Sequence, residues 1–392
     1  WKRIVDEDDV QSYTLAIVED LEEPNLMFLG TDDGLYISID AGEQWTKWTN
    51  GFPTTSVKDL VIHPREHDLV IGTFGRAAWV LDDIRPLREM AKNKKVMSSQ
   101  IELFEPPTGY QAAYQQPSGS RFGADALYNG ENRSGGARFT YMFNKKEMPK
   151  KEENEEEEED MASEKAESKV NWDSLTLKIY DGNRLIRTLK RKVPKDNGLH
   201  KWTWYMDEKG VDYPSRRIRE RNRERGGISV KPGNYKAILH YGDLTSETTI
   251  TIESDPRLEV SPKNITEVYN TLKDLEELQQ TSADAVKQLV ESKSIAENYK
   301  ENLGKLDKDK YKSEIKASKT IVKDIDSLID KYLGKIDKRQ GITRNPEVTP
   351  LQRLGTARSY VSNSQNGLTP TETTLIKQAK DALRVLFEET NN

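Results

Sequence analysis

The 392-residue sequence predicts a multidomain protein of mixed β and α class: the last blades of a β-propeller, then an immunoglobulin-like β-sandwich, then an antiparallel helical bundle. Three observations carry that prediction. Short apolar strands repeat near the N-terminus, alternating strands fill the middle, and the last third places apolar residues at helical spacing. The length also exceeds the ~250 residues beyond which one core stops growing. The expected spans are 1–105 for the blades, 106–256 for a linker plus the sandwich, and 257–392 for the bundle.

In the first span, "SYTLAIVE" (12–19), "NLMFLG" (25–30) and "GLYIS" (34–38) are apolar runs bounded by turn residues. "VKDLVIH" (57–63), "HDLVIGT" (67–73) and "AAWVLD" (77–82) repeat the pattern, and Gly30-Thr31 returns as Gly72-Thr73, 42 residues on. That period matches propeller blades. Two blades cannot close a ring, which takes at least ~4, and would leave apolar sheet faces in water. The blades are therefore expected either to complete a ring with sequence upstream of Trp1, the favoured reading, or to pack against another chain; a signal peptide is also expected upstream, since the chain opens without Met.

Between the two repeats stands "SIDAGEQW" (38–45), whose Ser-x-Asp-x-Gly-x-x-Trp spacing resembles an Asp-box, a hairpin signature of sialidases and of many non-enzymatic propellers. Each residue has a structural role. Asp40 accepts backbone N–H bonds across the turn, Gly42 supplies an unusual φ, Trp45 packs its ring between sheets, and Ser38 ends the strand facing the turn. The box thus marks a blade rather than a ligand contact.

"HDLVIGTFGRAAWVLDDIRPLRE" (67–89) resembles the closing blade of large bacterial BNR/sortilin-type propeller proteins, many called glycosyl hydrolases only by similarity. Their pattern is Thr-His-Gly-Arg-Gly/Ser-x-Trp-x-Leu-Asp-Asp. Thr73, Gly75, Arg76, Trp79, Leu81, Asp82 and Asp83 match it, while Phe74 replaces the usual His, removing acid–base work at that turn. The resemblance implies a sandwich and a helical region downstream, and a secreted, periplasmic or cell-surface location. Arg76 beside Asp82 and Asp83 has two readings: a carboxylate-binding arginine at the propeller mouth, or a structural pair pinning the last blade.

The middle begins with "IELFEPPTGYQAAYQQPSGSRFGADALYNGENRSGGA" (101–137), aperiodic and read as a long surface connection in which Tyr110, Tyr114 and Tyr128 anchor the chain. "RFTYMF" (138–143), "SLTLKIYD" (174–181), "RLIRTLKRK" (184–192), "HKWTWYM" (200–206), "NYKAILHY" (234–241) and "ETTITIE" (247–253) then alternate as in an immunoglobulin-like sandwich. Within them, Leu175, Leu177 and Ile179 share one face, and so do Trp202 and Trp204. Two charged insertions interrupt. Residues 150–169 hold ten Asp/Glu against four Lys, a like-charge run expected to be disordered. "SRRIRERNRERGG" (215–227) reads as a solvated loop or frayed helix turn, or as an anion grip through Arg219, Arg221 and Arg223.

In the last third, Asn264-Ile-Thr-Glu267 fits a capping box ahead of a helix through Leu272, Leu275, Leu278, Val286 and Leu289. A second helix is expected near 308–334, ending at Gly334, a short one at 350–360, and another from Thr369-Pro370 through Leu375, Ile376, Ala379, Leu383, Leu386 and Phe387. These apolar stripes fit a bundle.

Composition narrows function. Without Cys there are no disulfides, thiolate metal sites or Cys nucleophiles, and four His leave little for a metal centre, so no metal or cofactor is expected. The net charge of -6 equals that of the acidic insertion alone, so the rest is balanced, which argues against nucleic acid as a partner. No apolar run approaches the ~20 residues of a transmembrane helix. No convincing nucleophile–base–orienter set stands out, so no catalytic residue is assigned. The expected function is non-catalytic binding or scaffolding, with a glycan, peptide or cell-surface protein as partner. The alternatives are a sialidase-like glycoside hydrolase whose active-site residues lie upstream, and a sortilin-like peptide receptor.

Overall fold

Runs rich in Val, Ile, Leu and Tyr become strands because branched and aromatic side chains pack on a pleated surface, and Asp, Gly and Pro end each run. The computed structural model describes residues 3–112, 133, 135–145, 171–218, 223–336, 348–364 and 366–391. The acidic insertion 150–169, Arg219, Arg221, Tyr114 and Tyr128 lie outside them. The chain is of mixed β and α class, with several sheets and five α-helices among the described residues. None of those helices is long and apolar enough to cross a membrane. Two units are distinct: Trp1–Tyr205 with Gly233–Glu253, and Met206–Pro232 with Ser254–Asn392.

The first unit opens with an antiparallel four-stranded meander, β1 (Thr14–Glu19), β2 (Met27–Thr31), β3 (Gly34–Ser38) and β4 (Thr46–Lys47). A three-stranded meander follows, β5 (Val57–Ile62), β6 (Leu69–Thr73) and β7 (Ala78–Leu81). The 42-residue repeat is structural. Opposite Gly30-Thr31 the first strand carries a register shift between Thr14 and Ala16, and opposite Gly72-Thr73 an equal shift falls between Val57 and Asp59. Each threonine also closes its turn in the same way, Thr31 Oγ1 donating to the Gly34 carbonyl and Thr73 Oγ1 to the Ala77 carbonyl.

The two meanders bury Leu26, Phe28, Leu35 and Ile37 of one against Val57, Leu60, Leu69 and Ile71 of the other. Helix α1 (Arg85–Lys92) adds Leu87 and Ala91 to this core, and Ile84 just before it joins them. Each such side chain contributes about 1.5–3 kcal/mol by leaving water. The sheets approach so closely that a Cβ on Gly30 would stand 2.6 Å from Val57 Cγ1, which explains the glycine there.

Their outer faces are also apolar. On the first sheet Ile17, Leu29 and Tyr36 form one cross-strand row. Val5 and Val10 cover its middle, while Leu15 and Ile17 remain 40% and 51% exposed. On the second, Val61, Val70 and Val80 are directly opposite one another, and Val61 and Val80 are 53% and 55% exposed.

After a 3-10 turn at Lys94–Ser98, the unit continues in two more sheets. One orders β13 (Gly198–Trp204), β10 (Ala137–Phe143) and β8 (Ile101–Leu103). The other orders β12 (Arg184–Lys192), β11 (Ser174–Asp181), β16 (Gly233–Tyr241), β17 (Leu244–Ser254) and β9 (Gly109–Gln111). The two face each other through Phe143 on Tyr241, 5.1 Å between ring centres, and Trp204 on Tyr235, 5.7 Å. Leu175, Leu177 and Ile179 are fully buried on β11. The stretch read as an aperiodic connection from 101 therefore supplies two short strands: Ile101 and Leu103 alternate inward, a pattern too brief to register in sequence.

The second unit pairs β14 (Asp207–Lys209) with β15 (Gly226–Ser229), and the described residues of the arginine-rich stretch ahead of β15 form neither strand nor helix. The two strands come so close at Gly210 and Gly227 that a Cβ on Gly227 would sit 2.8 Å from the Gly210 Cα. Ile228 of the hairpin packs with Leu272 and Leu275 of α2 (Pro262–Leu306), Leu354, Ala357 and Val361 of α4 (Pro350–Ser362), and Ala379 and Leu383 of α5 (Pro370–Asn391). Helix α3 (Lys312–Leu333) joins through Tyr332 against Val286 and Leu386. Helix α2 begins earlier than the expected Asn264 cap. Ser261 Oγ accepts from the Asn264 N–H and Pro262 takes the first helical position, where its missing N–H costs nothing. Thr349 and Gln352 form a full capping box on α4, and Gly334, at φ 78°, caps α3.

Candidate functional site

The Asp-box is a closed hydrogen-bonded turn. Ser38 Oγ donates to Asp40 Oδ1 at 2.8 Å and accepts from the Gly42 N–H at 2.9 Å, and the Gln44 N–H donates to Asp40 Oδ1 at 2.9 Å. Burial alone would raise the Asp40 carboxyl, but the Gln44 N–H, the Ser38 hydroxyl and Lys94 together hold it below the usual carboxylate range. Gly42 has φ 82°, and Ala41 before it φ 57°. Trp45 is buried against Val10, Leu29 and Tyr36, and its indole donates to the Ile4 carbonyl at 2.9 Å. The Ser38 hydroxyl, both Asp40 carboxylate oxygens and the Trp45 indole are thus already engaged within the turn or by its neighbours.

The turn from Thr73 to Trp79 differs. Its backbone is braced: the Phe74 N–H donates to the Ser56 carbonyl at 2.8 Å, and the Trp79 indole to the Arg76 carbonyl at 2.8 Å. Gly75 and Ala77 both have positive φ, 81° and 61°. Above this brace the side chains are open. Phe74 is 75% exposed, with the Lys58 ammonium 5.9 Å from its ring centre, and Arg76 is exposed as well. Arg76 does not pair with the two aspartates of its motif. Asp83 Oδ1 accepts from Arg85 Nε at 2.7 Å, Asp82 Oδ1 accepts from Arg133 Nη2 at 3.0 Å, and the Arg76 guanidinium makes no ion pair among the described residues.

Arg133 gathers three carboxylates, Glu66, Asp68 and Asp82, with the Asp68 contact very short. Burial would lower its pKa, but Asp82 and Asp68 outweigh that and raise it. Glu66 is likewise held low, the guanidinia of Arg65 and Arg133 overcoming its burial. Nearby, Arg88 Nε and Nη2 grip the Asp20 carboxylate at 2.8 and 2.7 Å, both side chains almost wholly buried.

In the second unit, Arg216 bonds Asp330 at 2.8 Å and Arg225 lies 4.7 Å over the Tyr213 ring, so part of the arginine run serves structure, while Arg223 is exposed. Beneath it Glu208 and Glu276 are buried, bridged by Lys273, and Arg358 reaches Glu276 Oε1 at 3.0 Å. Burial raises the Glu276 carboxyl, only partly offset by Arg358 and Lys273. Sequence reasoning missed this group and the Arg133 and Asp20–Arg88 clusters. Only Glu276 and Gln279 left a signal, polar residues set into the Leu272–Leu275–Val286 stripe. Among the described residues no group of three or more His, Asp or Glu is placed to hold a metal ion.

Comparison of the chain with protein-family models, with curated proteins and with solved structures finds no match.

Proposed function

We propose that the two meanders are neighbouring blades of a larger propeller of the BNR/Asp-box, sortilin-like kind, followed by an immunoglobulin-like sandwich and an antiparallel helical bundle. The protein then acts without catalysis, binding or scaffolding a glycan, peptide or protein-complex partner in a secreted, periplasmic or cell-surface setting. One observation carries this reading. The stack of two repeated sheets has apolar rows on both outer faces, Leu15 and Ile17 on one side and Val61, Val70 and Val80 on the other. A further sheet on each side buries those rows, as ring closure requires.

The chemistry of the first unit supports the non-catalytic part. Asp33, Asp40 and Glu66 are all held below the usual carboxylate range by the cations and hydrogen-bond donors beside them. As anions at neutral pH, these three do not serve as the acid of glycoside hydrolysis, which needs a carboxyl kept protonated. Incubation of the protein, as its cell makes it, with a panel of fluorogenic sialosides and glucosides tests the reading. No release of fluorophore is expected. Turnover overturns it in favour of a sialidase-like hydrolase, and retention of a peptide without turnover identifies a sortilin-like receptor.

A further inference from the structure

We propose that the Thr73–Ala77 turn, together with Lys58, is a recognition site for an acidic peptide segment of a partner protein, one in which a carboxylate stands beside an apolar side chain. The inference rests on how this turn is built and holds whether or not further sheets extend the stack. An arginine at a surface turn beside two aspartates ordinarily folds back onto them. Here that route is closed, because Arg85 holds Asp83 and Arg133 holds Asp82. The Arg76 guanidinium is exposed and bonds no other described residue, so its planar fork can donate to a carboxylate in bidentate fashion.

Phe74 strengthens the case. A phenylalanine three-quarters exposed loses the benefit of burial, yet its backbone is tied down by the Ser56 carbonyl on one side and by Thr55 Oγ1 on its own carbonyl. Ala77 holds a left-handed φ that costs a non-glycine residue roughly 1 kcal/mol. A turn that accepts this strain and keeps an aromatic ring in water presents the ring in a fixed place, which reduces the ordering cost of binding. The Lys58 ammonium lies over the ring, adding a second cation from the adjacent strand. A cation over the ring and an exposed guanidinium two residues along the same turn complement aspartate or glutamate next to a leucine or phenylalanine. With a cation already over its ring, Phe74 is a poorer platform for a sugar, which favours peptide over acidic glycan.

The test is fluorescence anisotropy with the whole chain and a fluorescein-labelled peptide of alternating aspartate and leucine. A peptide with asparagine for aspartate and a labelled polysialic acid are run in parallel. Saturable binding of the aspartate peptide alone is expected, weakened about tenfold or more by Arg76→Glu and by Phe74→Ala, as anchor residues behave. Lys58→Glu, on a different strand, reads the same loss independently. Unfolding followed by tryptophan fluorescence should match the unmodified protein for each variant, since the altered side chains are exposed. Absence of saturable binding, affinity indifferent to Arg76→Glu and Lys58→Glu in folded protein, or preference for polysialic acid overturns the proposal.

Discussion

Breaking the buried Asp20–Arg88 pair is a sharp perturbation of the first unit. The Arg88 guanidinium makes two bonds to Asp20, with side-chain exposures of 4% and 0%, and ties α1 to the turn after β1. Arg88→Met keeps the apolar stem that packs in the core but leaves the Asp20 carboxylate buried without its partner, a change that costs about 3–5 kcal/mol. Asp20→Ala should cost about 1–3 kcal/mol more, because the Glu22 and Glu23 N–H groups lose the oxygen they donate to at 3.0 and 2.9 Å. The double variant Arg88→Met with Asp20→Asn should lose less than the sum, since Asn keeps that acceptor and leaves no unpaired charge. All seven tryptophans fall within 1–205, so their fluorescence in urea reports this unit alone. With a slope of ~2 kcal/mol/M, Arg88→Met should lower the midpoint by about 1.5–2.5 M. A shift under about 0.5 M would show that water reaches Asp20 and that α1 is not seated as described.

Glycine substitutions test the approach of the two meanders: Gly30→Ala drives a methyl into Val57 and should cost about 1–3 kcal/mol in the same urea assay. Gly72→Ala, where the nearest atom would be 3.5 Å away, should stay within about 1 kcal/mol of the unmodified chain. Acid should act on the units differently. Asp33 and Asp40 are lowered in the folded state, so their contribution is complete above 3.8 and is lost as pH falls through the folded values, weakening the tryptophan-reported transition. Glu276 is raised, so its contribution is present below 4.5 and is lost as pH rises through the folded value. Glu276→Gln should flatten that part of the pH dependence of helix unfolding, read by circular dichroism.

What sequence made legible was local. The strands from Thr14 to Leu81 and the helix carrying Leu375, Ala379, Leu383 and Leu386 follow from periodicity and turn chemistry within a few residues of each position. The Ser38–Asp40–Gly42 turn follows likewise, since its bonds span four residues or fewer. Non-local pairs were invisible. Arg88 meets Asp20 across 68 positions and Arg358 meets Glu276 across 82, and a lone charged residue carries no mark of its partner. Of the two readings of Arg76, the structural pair is not formed: Asp82 is taken by Arg133 from 51 positions away and Asp83 by its near neighbour Arg85. At α2 the apolar stripe located the helix, but Ser261-Pro262 set its start ahead of the stripe.

The exposed Leu15 and Ile17 of the first sheet and Val61 and Val80 of the second carry the propeller proposal. Because the chain contains no cysteine, Ile17→Cys and Val61→Cys each introduce one reporter thiol, and its alkylation rate can be compared between the isolated 392-residue chain and the protein as its cell makes it. Fast labelling in the isolated chain with strong protection of both positions in the cell-made protein is the predicted result. Equal, fast labelling of both positions in the two preparations would mean that nothing covers these faces, contradicting the propeller reading.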